Sequence, residues 1–500
     1  MERFRIDAQQ LPGGVPAWTA QVDGGAWLRV ARAVREEGAR LAALWAAPGC
    51  ASVAYALAEG LLWLRMPVEE GYPSLDEFFP AAERMERAAW EISGVRALGA
   101  HDRRPWLNHG NWPRDYVPLR DVETPPRTTP DSEYPFVQVA GEGVHEIAVG
   151  PIHAGIIEPG HFRFSVVGEK VLRLEERLGY VHKGIERLFA GRALADGARL
   201  AGRVSGDTTV AYAWAYAMAA ESVTGCRPPT RALWLRALLL ERERIANHLG
   251  DLGALGNDAG LAVGLAQFMR LKEDWVRLSG RLFGHRYAMD TVVPGGVAVD
   301  LDDAGRAALL DQCAALEGEV GALRGIYEEH AGLQDRFIGA GRVTPQLAAQ
   351  LGLCGLAGRA SGQAWDARCD QAGTPYDVLD PGMATHRNGD VAARVTVRFE
   401  EIAESLRLLR RICAQLPPGP VAALLPPAGA GRGLGWIEGW RGPVLVALET
   451  GADGAIARCH CHDPSWQNWP VLQHAIMGNI VPDFPLINKS FNLSYAGHDL

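Results

Sequence analysis

No two of the eight cysteines form a CxxC pair; they stand singly at 50, 226, 313, 354, 369, 413, 459 and 461. That spacing excludes a disulfide framework, a zinc ribbon and a thiolate set for an iron–sulfur cluster, and leaves reduced, unpaired thiols as the plain reading. Cys459-His460-Cys461-His462 gathers four metal-ligating side chains. Successive residues of a strand point to opposite faces, so the four cannot easily close on one ion, and the run reads as a strand end. Long apolar runs are missing too. Residues 41–64 are divided by Pro48, Gly49 and Glu59, and residues 210–220 are about half the length a membrane span needs. There is no basic run and the net charge is −9, which excludes a nucleic-acid binder. P-loop, GxGxxG, HExxH and GxSxG motifs are absent. Met1-Glu2-Arg3-Phe4-Arg5 is followed by polar residues and Pro12, so no secretory signal is expected, and the two Asn-x-Ser sites at 488 and 492 carry no glycosylation meaning. We find no internal repeat and no coiled-coil heptads.

What is present is enough apolar residue, 48% against 22% charged, to build a large buried core. Five hundred residues exceed one ordinary core, so two or more domains are expected. Residues 1–120 form a first unit, with helical spacing over 30–46 and paired strands over 52–66 turning near Glu59. Residues 121–133, poor in apolar side chains and rich in proline, are the best linker in the chain. The second unit, 134–500, opens with strands at 162–167 and 171–175 joined at Gly168. Helices then dominate from Gly184 to about His330, broken at Arg227-Pro-Pro and Val293-Pro-Gly-Gly, and resume at 344–360 and 397–415. Residues 432–447 read as glycine-punctuated strand, and the tail after Asp463 as irregular. The class is α+β: a small α/β unit, then a mainly helical one with a small sheet at its start.

The helix at 230–254 is the most informative element. Glu241, Arg244, His248 and Asp251 follow one another at steps of three, four and three, so they share one face. On spacing alone this is a solvated or salt-bridged stripe. The alternative is a polar line into a buried site, where His248 and Asp251 relay protons. Glu158-Pro-Gly-His161 and Tyr180-Val-His182-Lys183-Gly-Ile-Glu186 are polar turns that can hold a carboxylate or an imidazole at a cavity mouth.

Taken in order, several stretches resemble one superfamily. Gly150-Pro-Ile-His153 with Glu158-Pro-Gly-His161-Phe-Arg163, then Tyr180–Glu186, resembles the start of the large subunit of membrane-bound, energy-converting nickel–iron hydrogenases. Glu243-Arg244-Ile-Ala-Asn247-His248-Leu-Gly-Asp251 is similar to that family's central helix. Arg359-Ala-Ser361-Gly362, Trp365-Asp366-Ala-Arg368, and the tail from Trp466 through Asn492 continue the match. Phe79-Pro80 through Gly94, followed by His101-Asp-Arg-Arg104, resembles the C-type (30-kDa-type) subunit of complex I. The whole resembles a formate-hydrogenlyase-type fusion. Its first part is the 30-kDa-type unit, and its second is similar both to the hydrogenase large subunit and to the D-type subunit of complex I.

The departures bear on function. The family holds nickel and iron with two CxxC pairs, because soft metals of this kind want thiolates. At the matching positions this chain has Ser205-Gly206-Asp207-Thr208 and Ser494-Tyr495-Ala496-Gly497. The resemblance therefore implies a large subunit whose nickel–iron site is lost. The chain ends soon after, whereas family hydrogenases carry an extension cleaved once nickel is inserted; this too fits a protein never loaded with metal. The D-type subunit of complex I shows that the scaffold can bind quinone instead. Asp251 and His248 match the central helix of that D-type protein, but its quinone-contacting histidine falls near Glu158 and its tyrosine at or beside Gly206. His182 and Lys183 match the pair that faces a partner's terminal iron–sulfur cluster, with lysine keeping the charge but not arginine's planar fork.

The expectation is a metal-free, hydrogenase-related large subunit of a membrane-associated, ion-translocating oxidoreductase complex, peripheral on the cytoplasmic side of the cell membrane. The cavity residues expected are Glu158, Arg203, Asp207, His248 and Asp251, the buried carboxylates with raised pKa values. That cavity would host a charge relay or an electron acceptor such as quinone. The chain itself binds no metal, and iron–sulfur clusters belong to its partners: an iron–sulfur small subunit, a ferredoxin-like subunit and antiporter-like membrane subunits. The rivals are a non-catalytic scaffold of such a complex and, third, a genuine hydrogenase.

Overall fold

The computed structural model describes the chain except residues 114, 124, 129–132 and 155–156. Within the linker stretch 121–133, positions 124 and 129–132 thus lie outside the described residues.

The first unit is a five-stranded sheet carrying two helices. Its strands run, in spatial order, Gln9–Leu11, Ala17–Gln21, Gly60–Pro67, Cys50–Leu57 and Arg40–Ala47; only the Ala17–Gln21/Gly60–Pro67 pair is parallel. The strand pair turning at Glu59 is as the sequence implied. The helical spacing over 30–46 misleads in its second half. The helix is Gly24–Glu36, capped by the Asp23 carboxylate on the Ala26 N–H, and it stops at Gly38, whose φ of 69° is left-handed. Residues Arg40–Ala47 form a strand buried on both faces, so no period-two alternation marks it.

The second unit opens with an antiparallel three-stranded sheet, Val144–Val149, His161–Val167 and Lys170–Arg177. The chain then enters the helical body: Thr209–Thr224, the central helix Thr230–Asp258, Ala262–Phe283, Asp303–Glu329 and Val391–Gln415. A second antiparallel sheet, Gly431–Glu438, Pro443–Thr450 and Ile456–His462, follows, so Cys459–His462 does lie on a strand. The tail is helical rather than irregular, with helices at Ser465–Ala475, Phe484–Phe491 and Tyr495–Asp499. Pro485 stands in the first turn of its helix, where a missing N–H costs nothing, while Pro470 lies inside the helix Ser465–Ala475.

Thr209–Thr224 is apolar all round and buried on nearly every side, the signature of a core helix. Its alanines at 215 and 219 rest on glycines of the adjacent strand. A Cβ on Gly435 would lie 1.7 Å from the Ala215 carbonyl oxygen, and one on Gly433 2.1 Å from that of Ala219. Helix and sheet backbones therefore touch, and only glycine fits. Among the described residues no helix is long and apolar enough to cross a membrane.

Apolar packing runs through both units. Trp45 and Trp63 of the first sheet cluster with Leu434, Trp436 and Leu445 of the last. Trp45 stacks on His460 at 4.8 Å, and the Gln467 amide donates to the Ala42 carbonyl at 2.9 Å. A buried ion pair, Arg84–Glu176 at 2.8 Å, adds a polar clamp between the units.

Candidate functional site

The central helix holds its polar face in the protein interior. Glu241, Arg244 and His248 are 0% exposed and Asp251 2%. A solvated stripe is therefore excluded; the face is a line of buried ion pairs. Its partners come from the helix Val391–Gln415, where Arg398, Glu401 and Ser405 sit three and four residues apart on the facing side. Others come from Arg359, Asp366 and Arg368, and from Glu438 at the end of its strand.

Two arrangements result. In the first, Glu401 accepts from Arg359 Nη2 at 2.7 Å and from His248 Nε2 at 2.8 Å, while Arg359 Nη1 reaches Glu438 at 2.7 Å. Glu241 accepts from Arg368 at 3.1 Å, Ser405 at 2.6 Å and Tyr376 at 2.7 Å, and Arg368 also pairs with Asp366 at 2.8 Å. Burial opposes ionisation of Glu401, but the Arg359 charge and the His248 hydrogen bond hold it well below the usual carboxylate range. Glu438 goes the other way: burial and the nearby Asp366 charge raise it. Burial also lowers His248, whose Nδ1 has no hydrogen-bond partner among the described residues.

In the second, Asp251 accepts from Arg398 Nε at 2.9 Å and from the Asn492 amide at 2.7 Å, with Lys489 Nζ at 3.5 Å. Burial acts to raise it, yet Arg398 and Lys489 hold it below its ordinary value. The expectation of raised values for the buried carboxylates is thus wrong for Asp251 and, as follows, for Asp207. A desolvated carboxylate beside a cation keeps its charge.

The residues at the family's metal-ligand positions do come together. Ser205 Oγ lies 3.0 Å from Ser494 Oγ and donates to Asp207 Oδ1 at 2.7 Å; Thr208 Oγ1 donates to the same oxygen at 2.9 Å. The Gly497 N–H donates to Ser494 Oγ at 2.8 Å. Arg441 closes the cluster with an ion pair to Asp207 at 2.6 Å. Burial pushes Asp207 up, but Arg441 outweighs it and the carboxyl stands at about 2. The side chain remains 39% exposed, so solvent screens part of that pairing. The backbone carbonyl of Asp207 is held by Asn247 of the central helix at 2.7 Å and by Trp440 Nε1 at 3.0 Å. Trp440 also meets His248 edge-on at 6.2 Å, so the indole links this cluster to the first network.

These groups do not suit a thiolate-held nickel–iron centre. Three hydroxyls, each already hydrogen-bonded, are hard and neutral where soft anionic donors are needed. The fourth position has no side chain, and a Cβ on Gly497 would lie 2.4 Å from Asp463 Oδ2. Among the described residues no three His, Cys, Asp or Glu side chains converge to hold an ion.

Of the expected cavity residues, the structure brings Asp207 and Glu158 to one place. Glu158 Oε2 accepts the Ala496 N–H at 3.2 Å, and burial followed by the Asp207 charge raises its pKa. His248 and Asp251 line the neighbouring networks. Arg203 does not belong: it faces outward in a bidentate pair with Asp290, at 2.6 and 2.7 Å, with both side chains more than a third exposed. Lys183 Nζ donates to the Val204 and Ala496 carbonyls, and His182 Nδ1 contacts the Asp499 carbonyl at 2.7 Å. Sequence reading missed Arg441, Arg398, Glu401 and Glu438. Arg394, Arg398, Glu401 and Ser405 follow at helical steps, but the same helix also carries Glu400, Glu404, Arg407, Arg410 and Arg411, so spacing alone does not single them out.

Comparison with known proteins agrees with this architecture. Residues 20–128 match the family described as respiratory-chain NADH dehydrogenase, 30 Kd subunit, and residues 258–428 that of the 49 Kd subunit. Formate hydrogenlyase subunit 5 of Escherichia coli is 32% identical over 87% of this chain and 79% of its own length. The carbon monoxide-induced hydrogenase of Rhodospirillum rubrum is 32% identical over 70% of this chain and 97% of its own. A chain of the membrane-bound sulfane sulfur reductase, an archaeal respiratory membrane complex, shares the fold with a TM-score of 0.68 at 24% identity, over 73% of this chain and all of that one.

Proposed function

The chain belongs to the family of membrane-bound hydrogenase and complex I-type large subunits, a 30-kDa-type unit fused to a 49-kDa-type unit, and from that premise we propose that it is a metal-free large subunit working by ionisation rather than by hydrogen chemistry. In this reading it is a peripheral subunit on the cytoplasmic side of an ion-translocating membrane complex. It sits against an iron–sulfur small subunit through the His182–Lys183 turn, with a ferredoxin-like subunit and antiporter-like membrane subunits as further partners.

One observation carries the relay. Glu241, Asp366, Glu401 and Glu438 face Arg244, Arg359, Arg368 and His248 in a space closed to water. With His248 neutral the four carboxylates outnumber the three guanidiniums, and electroneutrality in a medium of low dielectric calls for one more proton. Its two sites are Glu438 and His248, which touch opposite ends of the Arg359–Glu401 pair. A proton moving between them, triggered by a redox change at the partner's cluster, would shift charge along the central helix without any group leaving its place. Quinone reduction at the Ser205–Ser494 cluster is the weaker form of the proposal, because Asp207 and Arg441 already satisfy that site. The same satisfaction favours, as a second reading, a scaffold that keeps the interfaces and has no chemistry of its own.

The test is purification of the full chain from gently solubilised membranes, with nickel measured and the co-purifying proteins identified. An iron–sulfur subunit and antiporter-like proteins without nickel are expected. Stoichiometric nickel would sink the metal-free reading, and recovery of the chain alone would sink the complex. In the assembled complex Glu438→Gln is expected to slow ion translocation; unchanged translocation would leave the scaffold ahead.

A further inference from the structure

A cleft of about 700 Å³ opens between the first unit and the helical body, beside the central-helix networks: its lining residue Trp365 precedes Asp366 and Trp436 stands two residues before Glu438. It lies within the range of small-molecule sites and at a boundary between units, where such sites are common. Its walls are unusual for a chain of net charge −9: Arg35 and Arg40 line it, and no Asp, Glu, Lys or His does. Arg40 sits at the start of the edge strand Arg40–Ala47, half-buried. Its guanidinium lies over the Trp365 ring, 4.6 Å from the centroid, and forms no ion pair or hydrogen bond with any described residue. Burial pushes it below its ordinary value, and the charges of Glu438 and Asp370, neither in ion-pair contact with it, only partly offset this. Arg359, Arg368 and Arg398, buried in the networks above, each have a carboxylate partner. Below Arg40, Trp436 is 3% exposed, tilted against Trp365 at 5.9 Å, and its Nε1 has no hydrogen-bond partner among the described residues.

We propose that this cleft binds a small organic anion with a flat ring, its oxyanion taken by the open edge of Arg40 and its ring laid along Trp365 and Trp436. The stacked arginine presents its N–H groups in a fixed plane, the geometry that carboxylate, sulfonate and phosphate oxygens match. The acid-free walls keep out cations. Apolar wall residues such as Phe79 and Leu353 give the ring dry surface. The site adjoins the network, with Arg359 donating to the Trp365 carbonyl, but anion binding in it needs no proton movement and stands whether or not the relay reading holds.

The experiment uses the purified full chain and anilinonaphthalene sulfonate, whose emission rises on entering a dry site, with neutral phenylnaphthylamine as the uncharged control. We expect saturable binding of one sulfonate per chain. Arg40→Gln is expected to weaken it at least about tenfold, the loss of one charge-assisted hydrogen bond, while leaving the neutral probe unchanged. Arg40→Lys keeps the charge and removes the planar fork, and is expected to weaken the sulfonate about threefold with the neutral probe unchanged; it serves as the second arm should Arg40→Gln disturb folding. No saturable binding, an equal loss for both probes, or full sulfonate affinity in both variants would overturn the proposal.

Discussion

Replacing Glu401 by glutamine keeps the shape of the side chain and removes one charge from a place that water does not reach. Glu401 is 2% exposed and accepts from Arg359 Nε and Nη2 and from His248 Nε2. The amide can turn only one oxygen toward these donors, so its NH2 must face a guanidinium or imidazole N–H. Arg359 keeps Glu438 but loses its stronger anchor, and Arg244, 3.6 Å from Glu401, loses part of its compensation. Removing one partner of a buried ion pair costs about 3–5 kcal/mol. Against a total stability on the order of 5–15 kcal/mol, that is about a fifth or more of the whole. The assay is the urea midpoint of the purified chain, followed by tryptophan emission and circular dichroism together. Asp303→Asn, at an exposed helix-end pair with Arg306, is the control and is expected to leave the midpoint in place. The pH dependence follows from the sign of the shift. Because Glu401 ionises well below the ordinary carboxylate range when folded, its contribution is fully present above about pH 4.5, the ordinary value, and is lost only as pH falls through its depressed folded value. The gap between wild type and Glu401→Gln is therefore expected to stay constant from pH 8 to pH 5. A midpoint loss no larger than that of Asp303→Asn, or a gap that closes at pH 6, would refute the desolvated network.

Asp251→Asn leaves Arg398 and Lys489 without their carboxylate and is expected to lower stability by about 3–5 kcal/mol, read as a urea midpoint; in the assembled complex, unaltered ion translocation would exclude Asp251 from charge transfer. Glu243 is held at about 8 by burial, with its two backbone N–H donors only partly offsetting this. An acid raised in the folded state costs stability as pH climbs from its unfolded value, about 4.5, to 8, so the Glu243→Gln midpoint is expected to gain on wild type across that window and level off beyond it. Gly435→Val places side-chain atoms where the Ala215 carbonyl stands and is expected to cost at least about 3 kcal/mol, visible as loss of soluble, folded chain. Arg203→Ala touches only a solvent-screened pair and is expected to change neither stability beyond about 1 kcal/mol nor translocation.

The polar face of the central helix was readable because helical period is a local property: steps of three, four and three put Glu241, Arg244, His248 and Asp251 together whatever surrounds them. Its burial was not readable. A charged stripe is buried only if counter-charges arrive, and these come from far along the chain; Arg368 lies 127 residues from Glu241 and Arg398 147 from Asp251. The same distance hid Arg441, 234 residues from Asp207, though the serines and threonine at the metal-ligand positions were found from motif order alone. Arg203 stands two residues before Ser205, but its side chain points away from the cluster to Asp290. The strand at Arg40–Ala47 was read as helix because a strand covered on both faces shows no alternation. The tail reads as irregular in sequence because its helices are short and one of them, Ser465–Ala475, holds Pro470 in its interior, where proline disfavours helix.

The shared packing of Trp45 and Trp63 with Leu434, Trp436 and Leu445 has a consequence for how the protein is made. The sheet that carries the two tryptophans is complete by Pro67, but the strands that cover it begin at Gly431. At about 5–20 residues per second, a ribosome needs on the order of 20–70 s to supply them. Throughout that interval a nascent chain carries a finished sheet with a bare aromatic face. Newly made chains are therefore expected to be aggregation-prone at that face until the last sheet arrives, and a product truncated before Gly431 is expected to be less soluble than the full chain.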